Sequence, residues 1–197
     1  MQTAVSISGS PRSRSAQRWR TWMLGWLCVP LLTVKIFAGE PVSKEYQVKA
    51  AFLYNFAKFV EWPAASFENE SSPLVIGVFG ENPFGGELEN VVRGRKINGH
   101  PILVKPVPAA ASAHNVHVLF ISAAEDERLG EFRTAVRNAG ILTVGESDEF
   151  VRRGGMIQFV PDGDKIRFEI RADQAAAVGL KISSQLLKLG RPRLANP

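Results

Sequence analysis

A chain of 197 residues with 24 Lys and Arg against 19 Asp and Glu reads at first as a basic protein. The excess lies wholly at the N-terminus: without residues 1–38 the basic residues fall from 24 to 19, no acid is lost, and the remainder is formally neutral. Nucleic-acid and acidic-membrane binding thereby lose their electrostatic support. The single cysteine, Cys28, leaves residues 39–197 without disulfide or thiol chemistry.

In chain order, residues 1–20 hold Arg12, Arg14, Arg18 and Arg20 and no acid, and residues 21–34 (TWMLGWLCVPLLTV) form an apolar run that contains Pro30. A membrane span needs about 20 apolar residues, so this shorter run fits a secretory signal with a basic start and an apolar middle. Cleavage is expected after Ala38, which leaves residues 39–197 as one domain. Cys28 follows Leu27, which is larger than the small residue that lipoprotein processing uses, so no lipid anchor is expected.

Ser43 opens a helix expected to run to about Trp62, where Pro63 stops it, with Glu45 and Lys49 paired one turn apart. Residues 73–79 (PLVIGVF) form a strand, followed by a Gly/Pro/Asn loop and a short helix near residues 86–92. An Asn-Gly turn precedes a strand at 102–107, a small-residue connector spans 109–114, and residues 116–122 (VHVLFIS) read as a buried strand. A helix is expected over 125–138, ending at Gly140. The apolar run ILTVG and a helical turn closed by Gly154 and Gly155 come next. Residues 156–170 make a hairpin around Asp162 and Gly163, and residues 171–189 a last helix before Gly190 and Pro192. Strands alternating with helices, with one hairpin, indicate an α/β fold: a single domain with a mixed sheet of about six strands flanked by about five helices.

Residues 77–92 have the strand, glycine loop and helix order of a nucleotide site. Gly86 and Glu87, however, stand where a phosphate-binding loop needs Lys and Ser or Thr, so a tight turn explains the glycines better. His114, His117 and His100 lack the spacing and the acidic company of a metal site. Asp162 and Asp164 are turn formers, and Ser183 and Ser184 stand at the wrong distance from Lys188 for a serine-lysine nucleophile. No convergent catalytic set remains, and neither a cofactor, a metal nor an enzyme activity is expected.

On a helical wheel Val48, Phe52, Phe56, Phe59 and Val60 share one side of the first helix. Leu53, Tyr54 and Ala57 extend it, leaving Lys49, Lys58 and Glu61 as a narrow polar strip. Such a helix is covered by its own sheet, by a partner, or by both. The last helix shows Val178, Ile182, Leu186 and Leu189 on one face with Leu180 and Leu187 off it, which leaves room for a second subunit.

The segments VKAAFLYNFAKFVEWP, GENPFGGELE, HVLFIS, GGMIQFV, IRFEI and GLKISSQLLKL, in this order behind an export signal, resemble the YfiR family of periplasmic proteins over residues 44–189. The resemblance implies a periplasmic, non-catalytic homodimer that represses a membrane-bound diguanylate cyclase of the YfiN type by contact. It also implies sequestration by an outer-membrane lipoprotein of the YfiB type, and thus lower cyclic-di-GMP signalling and biofilm formation. Family members often carry redox-sensitive cysteine pairs. Here Val116 stands where one such cysteine would precede HVLFIS, so disulfide control is not available. For contact with a partner or ligand the sequence nominates Tyr54, Trp62, Ile157, Phe159, Arg167, Glu169 and Gln185, since aromatics and arginine are the usual anchors. An alternative is a periplasmic small-molecule sensor for another membrane receptor or sensor kinase, with Arg167 and Glu169 sharing a strand face that could hold a zwitterion.

Overall fold

The computed structural model describes residues 43–192. The expected export signal, its expected cleavage after Ala38, and Cys28 lie outside the described residues. Helix α1 (Lys44–Phe59) starts at Ser43, whose carbonyl accepts the Tyr46 and Gln47 amides. It stops before Trp62, because Val60–Glu61 (β1) pairs antiparallel with Lys181–Ile182 (β9) and Ser183 N donates to Phe59 O.

The remaining strands form one mixed sheet. They are β2 (Leu74–Phe79), β3 (Lys96–Ile97), β4 (His100–Pro106), β5 (Val118–Ile121), β6 (Leu142–Gly145), β7 (Ile157–Asp162), β8 (Lys165–Ile170) and β10 (Arg191–Pro192), in the spatial order β10-β8-β7-β6-β5-β2-β4-β3. The run β4-β2-β5-β6-β7 is parallel throughout, with β2 first in sequence and flanked by β4 and β5. This is the 2-1-3-4-5 order of doubly wound sheets, with its switch point between β2 and β5. The β7–β8 hairpin is antiparallel, and because Asp162 pairs with Lys165 its two loop residues are Gly163 and Asp164, one position later than the sequence suggests.

Both faces are covered, which accounts for the unbroken apolar runs of β2, β5 and β6. Leu74, Ile76, Val118, Phe120, Leu142 and Val144 pack beneath α1 and α2 (Glu87–Val92). Val75, Phe79, Leu119 and Ile121 meet the 3-10 segment Ala123–Phe132 and its continuation α3 (Arg133–Ala139). Phe52 and Phe56 of α1 seat on Phe159 and Phe168 of the hairpin, with ring centroids 5.0 to 6.1 Å apart. Full burial of one such ring contributes about 1.5–3 kcal/mol, so this cluster is a main anchor of α1. The apolar helix is thus covered chiefly by its own sheet.

Two expected helices differ. Residues 123–132 are 3-10, a form in which side chains three apart eclipse, and Arg128 accordingly reaches both Glu125 (2.7 Å) and Glu131 (2.8 Å). The last helix is broken into α4 (Ala172–Ala177) and α5 (Ser184–Leu189). Gly179, at φ +82°, ends the first piece, β9 leaves to pair with β1, and the Ser183 hydroxyl accepts from Leu186 N to start the second. Val178, Ile182 and Leu186 are therefore not one helical face.

Candidate functional site

The switch point, where doubly wound sheets commonly bind ligands, is closed here. Gly80 at the end of β2 has φ +88°, and a side chain on it would meet Ser122 Oγ and Glu125 Cγ at 2.3 and 2.6 Å. The glycine loop is a close packing of two strand ends, not a phosphate cradle.

A cleft does open nearby, between the first turns of α1 and the β7–β8 hairpin, at the carboxyl ends of β5 and β6. Its inner part, about 300 Å³, is bounded by Tyr46, Lys49, Ala123, Glu146, Phe159 and Ile166. A contiguous outer groove of about 480 Å³ shares Glu45, Pro161 and Ile166 and adds Val48, Phe52 and Lys165. Glu146 owes its position to the turn that follows β6. There the Phe150 ring packs directly on Gly145 and Gly155, so close that a Cβ on either would lie 2.2 to 2.3 Å from it.

Lys49 is the centre of the cleft. It is only 4% exposed, not part of a solvated polar strip as its wheel position suggests. Its Nζ lies 2.5 Å from Glu45 Oε1 and 2.6 Å from Glu146 Oε2, and 4.6 Å from the centre of the Tyr46 ring. Tyr46 donates its hydroxyl to the other Glu146 oxygen at 3.3 Å. Burial pushes the Lys49 pKa down, but the hydrogen bonds and charges of Glu146 and Glu45 outweigh it, and the pKa lies above the ordinary lysine value. Burial and the Glu146 charge raise Tyr46 as well. A lysine held charged between two carboxylates is no nucleophile and no base. The cleft thus sets a buried, paired charge beside an apolar groove.

At the opposite, amino edge of the sheet sits an aromatic cluster. Phe67 stacks between His100 (3.9 Å) and His117 (4.4 Å), and Trp62 meets the His117 ring edge-on at 5.9 Å. His117 Nδ1 accepts from Val75 N and its Nε2 donates to Ser66 O, both at 3.1 Å, which fixes the neutral Nε2–H tautomer. Burial is the largest cause pushing its pKa down to about 4, against the Ser66 bond, with the charges of His100 and Lys105 adding to the drop. His100 donates Nδ1–H to Ser72 O, and among the described residues no three His, Cys, Asp or Glu side chains group as a metal site.

The seven nominated residues do not converge. Phe159 forms part of the cleft floor, but it and Ile157 are core residues, 2% and 0% exposed, that support α1 and offer no free surface. Tyr54 is half-buried on α1 under the Arg95 guanidinium, at 4.7 Å. Trp62 belongs to the amino-edge cluster, and Gln185 is exposed on α5. Arg167 and Glu169 do share the outer face of β8, but the Arg167 guanidinium is bonded to Asp162, which Arg191 also reaches at 3.2 Å. That is a salt-bridged strand face, in which Asp162 already occupies the Arg167 guanidinium. Sequence reasoning found the Glu45–Lys49 pair but missed Glu146 and Tyr46. The one available signal was a lysine in the narrow polar strip of a largely apolar helix.

A family model described as YfiR/HmsC-like matches residues 46–191. No curated protein matches the chain. Among solved structures, the chain is similar to a conserved domain protein from Vibrio cholerae O1 biovar El Tor, at 11% identity, 75% of this chain, 59% of that one and a TM-score of 0.50. It also matches the ABC domain in complex with L-Trp from Streptococcus pneumonia, at 12% identity, 75% and 60% coverage and a TM-score of 0.49. The chain spans about three fifths of the length of these structures. At 11% identity the likeness to the Vibrio cholerae protein extends to the fold alone. The family match takes in α1 from Tyr46 onward, Lys49 and Glu146 of the cleft and every long strand, and by it the chain belongs to the YfiR/HmsC-like family.

Proposed function

We propose that this protein is a periplasmic regulatory binding protein that represses a membrane-bound diguanylate cyclase of the YfiN type by stoichiometric contact, without catalysis, and is itself withdrawn by an outer-membrane lipoprotein of the YfiB type. The observation that carries the reading is the family match over residues 46–191. The export signal read in residues 1–38 supports the compartment. Repression by contact requires that the chain bind the inactive form of its client better than the active form, since a ligand shifts an equilibrium only by its differential affinity. The cleft between α1 and the hairpin suits such contact: Val48, 38% exposed, and Ile166 offer apolar surface beside the Lys49–Glu146 pair. A homodimer is part of the proposal, and the exposed Leu187 and Leu189 of α5 give it an apolar patch to cover.

The test is intracellular cyclic-di-GMP in a deletion strain, complemented with the full chain and with a version lacking residues 1–38. A rise on deletion that only the exported chain reverses is expected, and complementation with Val48→Asp should leave the level high. Unchanged cyclic-di-GMP on deletion would overturn the cyclase assignment.

A further inference from the structure

A second recess lies away from the α1 cleft, between α3, the loop that precedes β7, and α4. It encloses about 390 Å³, and Arg133, Arg137 and Arg153 converge on it from two separate segments. Arg133 and Arg137 stand one turn apart on α3, an arrangement that repels by a few tenths of a kcal/mol in an isolated helix. Neither guanidinium has a hydrogen-bond or ion-pair partner among the described residues. Nearby arginines behave differently: Arg128 is held by Glu125 and Glu131, and Arg171 by Asp173 at 2.6 Å. Arg153 is loosely tethered from outside the recess by Asp126 at 3.7 Å and Glu127 at 3.8 Å.

The rest of the lining is suited to the same chemistry. Thr143, 1% exposed on β6, accepts from Met156 N through its hydroxyl oxygen and so keeps its O–H to donate. Gln174 brings a carboxamide from α4, and Leu129, Val136 and Val178 supply apolar walls. Guanidinium groups in such a setting bind carboxylate or phosphate through paired, charge-assisted hydrogen bonds.

We propose that this recess is a binding site for a small, multiply charged anion bearing carboxylate or phosphate groups, held by Arg133, Arg137 and Arg153 with Thr143 at its floor. The site is independent of the α1 cleft and of the cyclase reading, so either can fail without the other. The test is isothermal titration of the purified protein with citrate and, separately, with pyrophosphate, at fixed ionic strength, beside the R133Q/R137Q double variant. Both arginines are exposed, so the variant should fold, and its unliganded melting temperature should equal or slightly exceed the parent's once the like-charge pair is gone.

Saturable one-to-one binding of either anion, weakened roughly tenfold or more for each arginine removed, supports the proposal. Citrate alone would name a carboxylate ligand, and pyrophosphate alone a phosphate ligand. Binding of neither, binding that chloride reproduces at matched ionic strength, or equal binding by the double variant would overturn it.

Discussion

The two ends of the sheet each bury a titratable side chain, and they keep it from being costly in opposite ways. At the carboxyl edge Lys49 stays charged, because Glu45 and Glu146 stand within 2.6 Å of its ammonium group. At the amino edge His117 has no carboxylate and stays neutral, with one ring nitrogen accepting from Val75 and the other donating to Ser66. A buried ionisable group either keeps its charge by pairing or gives it up through its pKa. Lysine, which starts far above neutral pH, takes the first course here, and histidine, which starts near it, takes the second. The carboxyl edge therefore holds a paired charge beside the cleft, while the buried ring at the amino edge is neutral.

The comparison breaks first at Lys49. Lys49→Met removes the cation and leaves Glu146, whose side chain is 11% exposed, without its main partner. Breaking a buried pair from one side costs about 3–5 kcal/mol, and the half-exposed Glu45 can relax into water. Denaturant unfolding should show a loss near the lower end of that range. The double variant Lys49→Met with Glu146→Leu should recover most of it, because both charges are then gone. A loss below about 1 kcal/mol in the single variant would mean that the cleft is wetter than its geometry implies.

His117 gives the next largest effect, through pH. The unfolded chain binds the imidazole proton near pH 6.5 and the folded chain only near pH 4. The contribution is thus complete above pH 6.5, falls as the pH drops from 6.5 to 4, and is level below that. Integrated over the window it amounts to about 3 kcal/mol. Urea melts at steps between pH 7 and 4 should show this decline, and His117→Gln should flatten it. A ring that titrates near 6.5 by NMR in the folded protein would remove the argument.

How much of this was legible in sequence depends on the range of the interaction. The strands and the β7–β8 hairpin announce themselves through apolar runs, alternation and turn residues, all local. The first helix is equally plain, and its Glu45–Lys49 pair is a one-turn spacing. Glu146 is 97 residues from Lys49, and His117 is 51 residues from the carbonyl it bonds; neither leaves a local trace. The last helix was misread because Val178, Ile182, Leu186 and Leu189 happen to fit a helical period. Gly179 and Ser183, a stop and a start, were the competing signal, and the pairing of β9 with β1 decided between them. Of the seven nominated contact residues, composition could name anchor types but could not say that Ile157 and Phe159 are spent in the core.

The smallest effect expected, and the one that sharpens the comparison most, is at Trp62. Its indole N–H is buried with no hydrogen-bond partner among the described residues, so the amino edge satisfies His117 fully but not the ring beside it. An unsatisfied buried donor costs about 1–3 kcal/mol, whereas trimming Trp to Phe loses some buried apolar area and its packing. The two terms oppose each other, and Trp62→Phe should change stability by less than about 1 kcal/mol, against roughly 3–5 kcal/mol for a Trp fully committed to a core. A loss above about 2 kcal/mol would show that the N–H does find an acceptor in solution, most directly a bound water. The amino edge would then be polar at its rim, and the contrast with the Lys49 cleft would be one of degree.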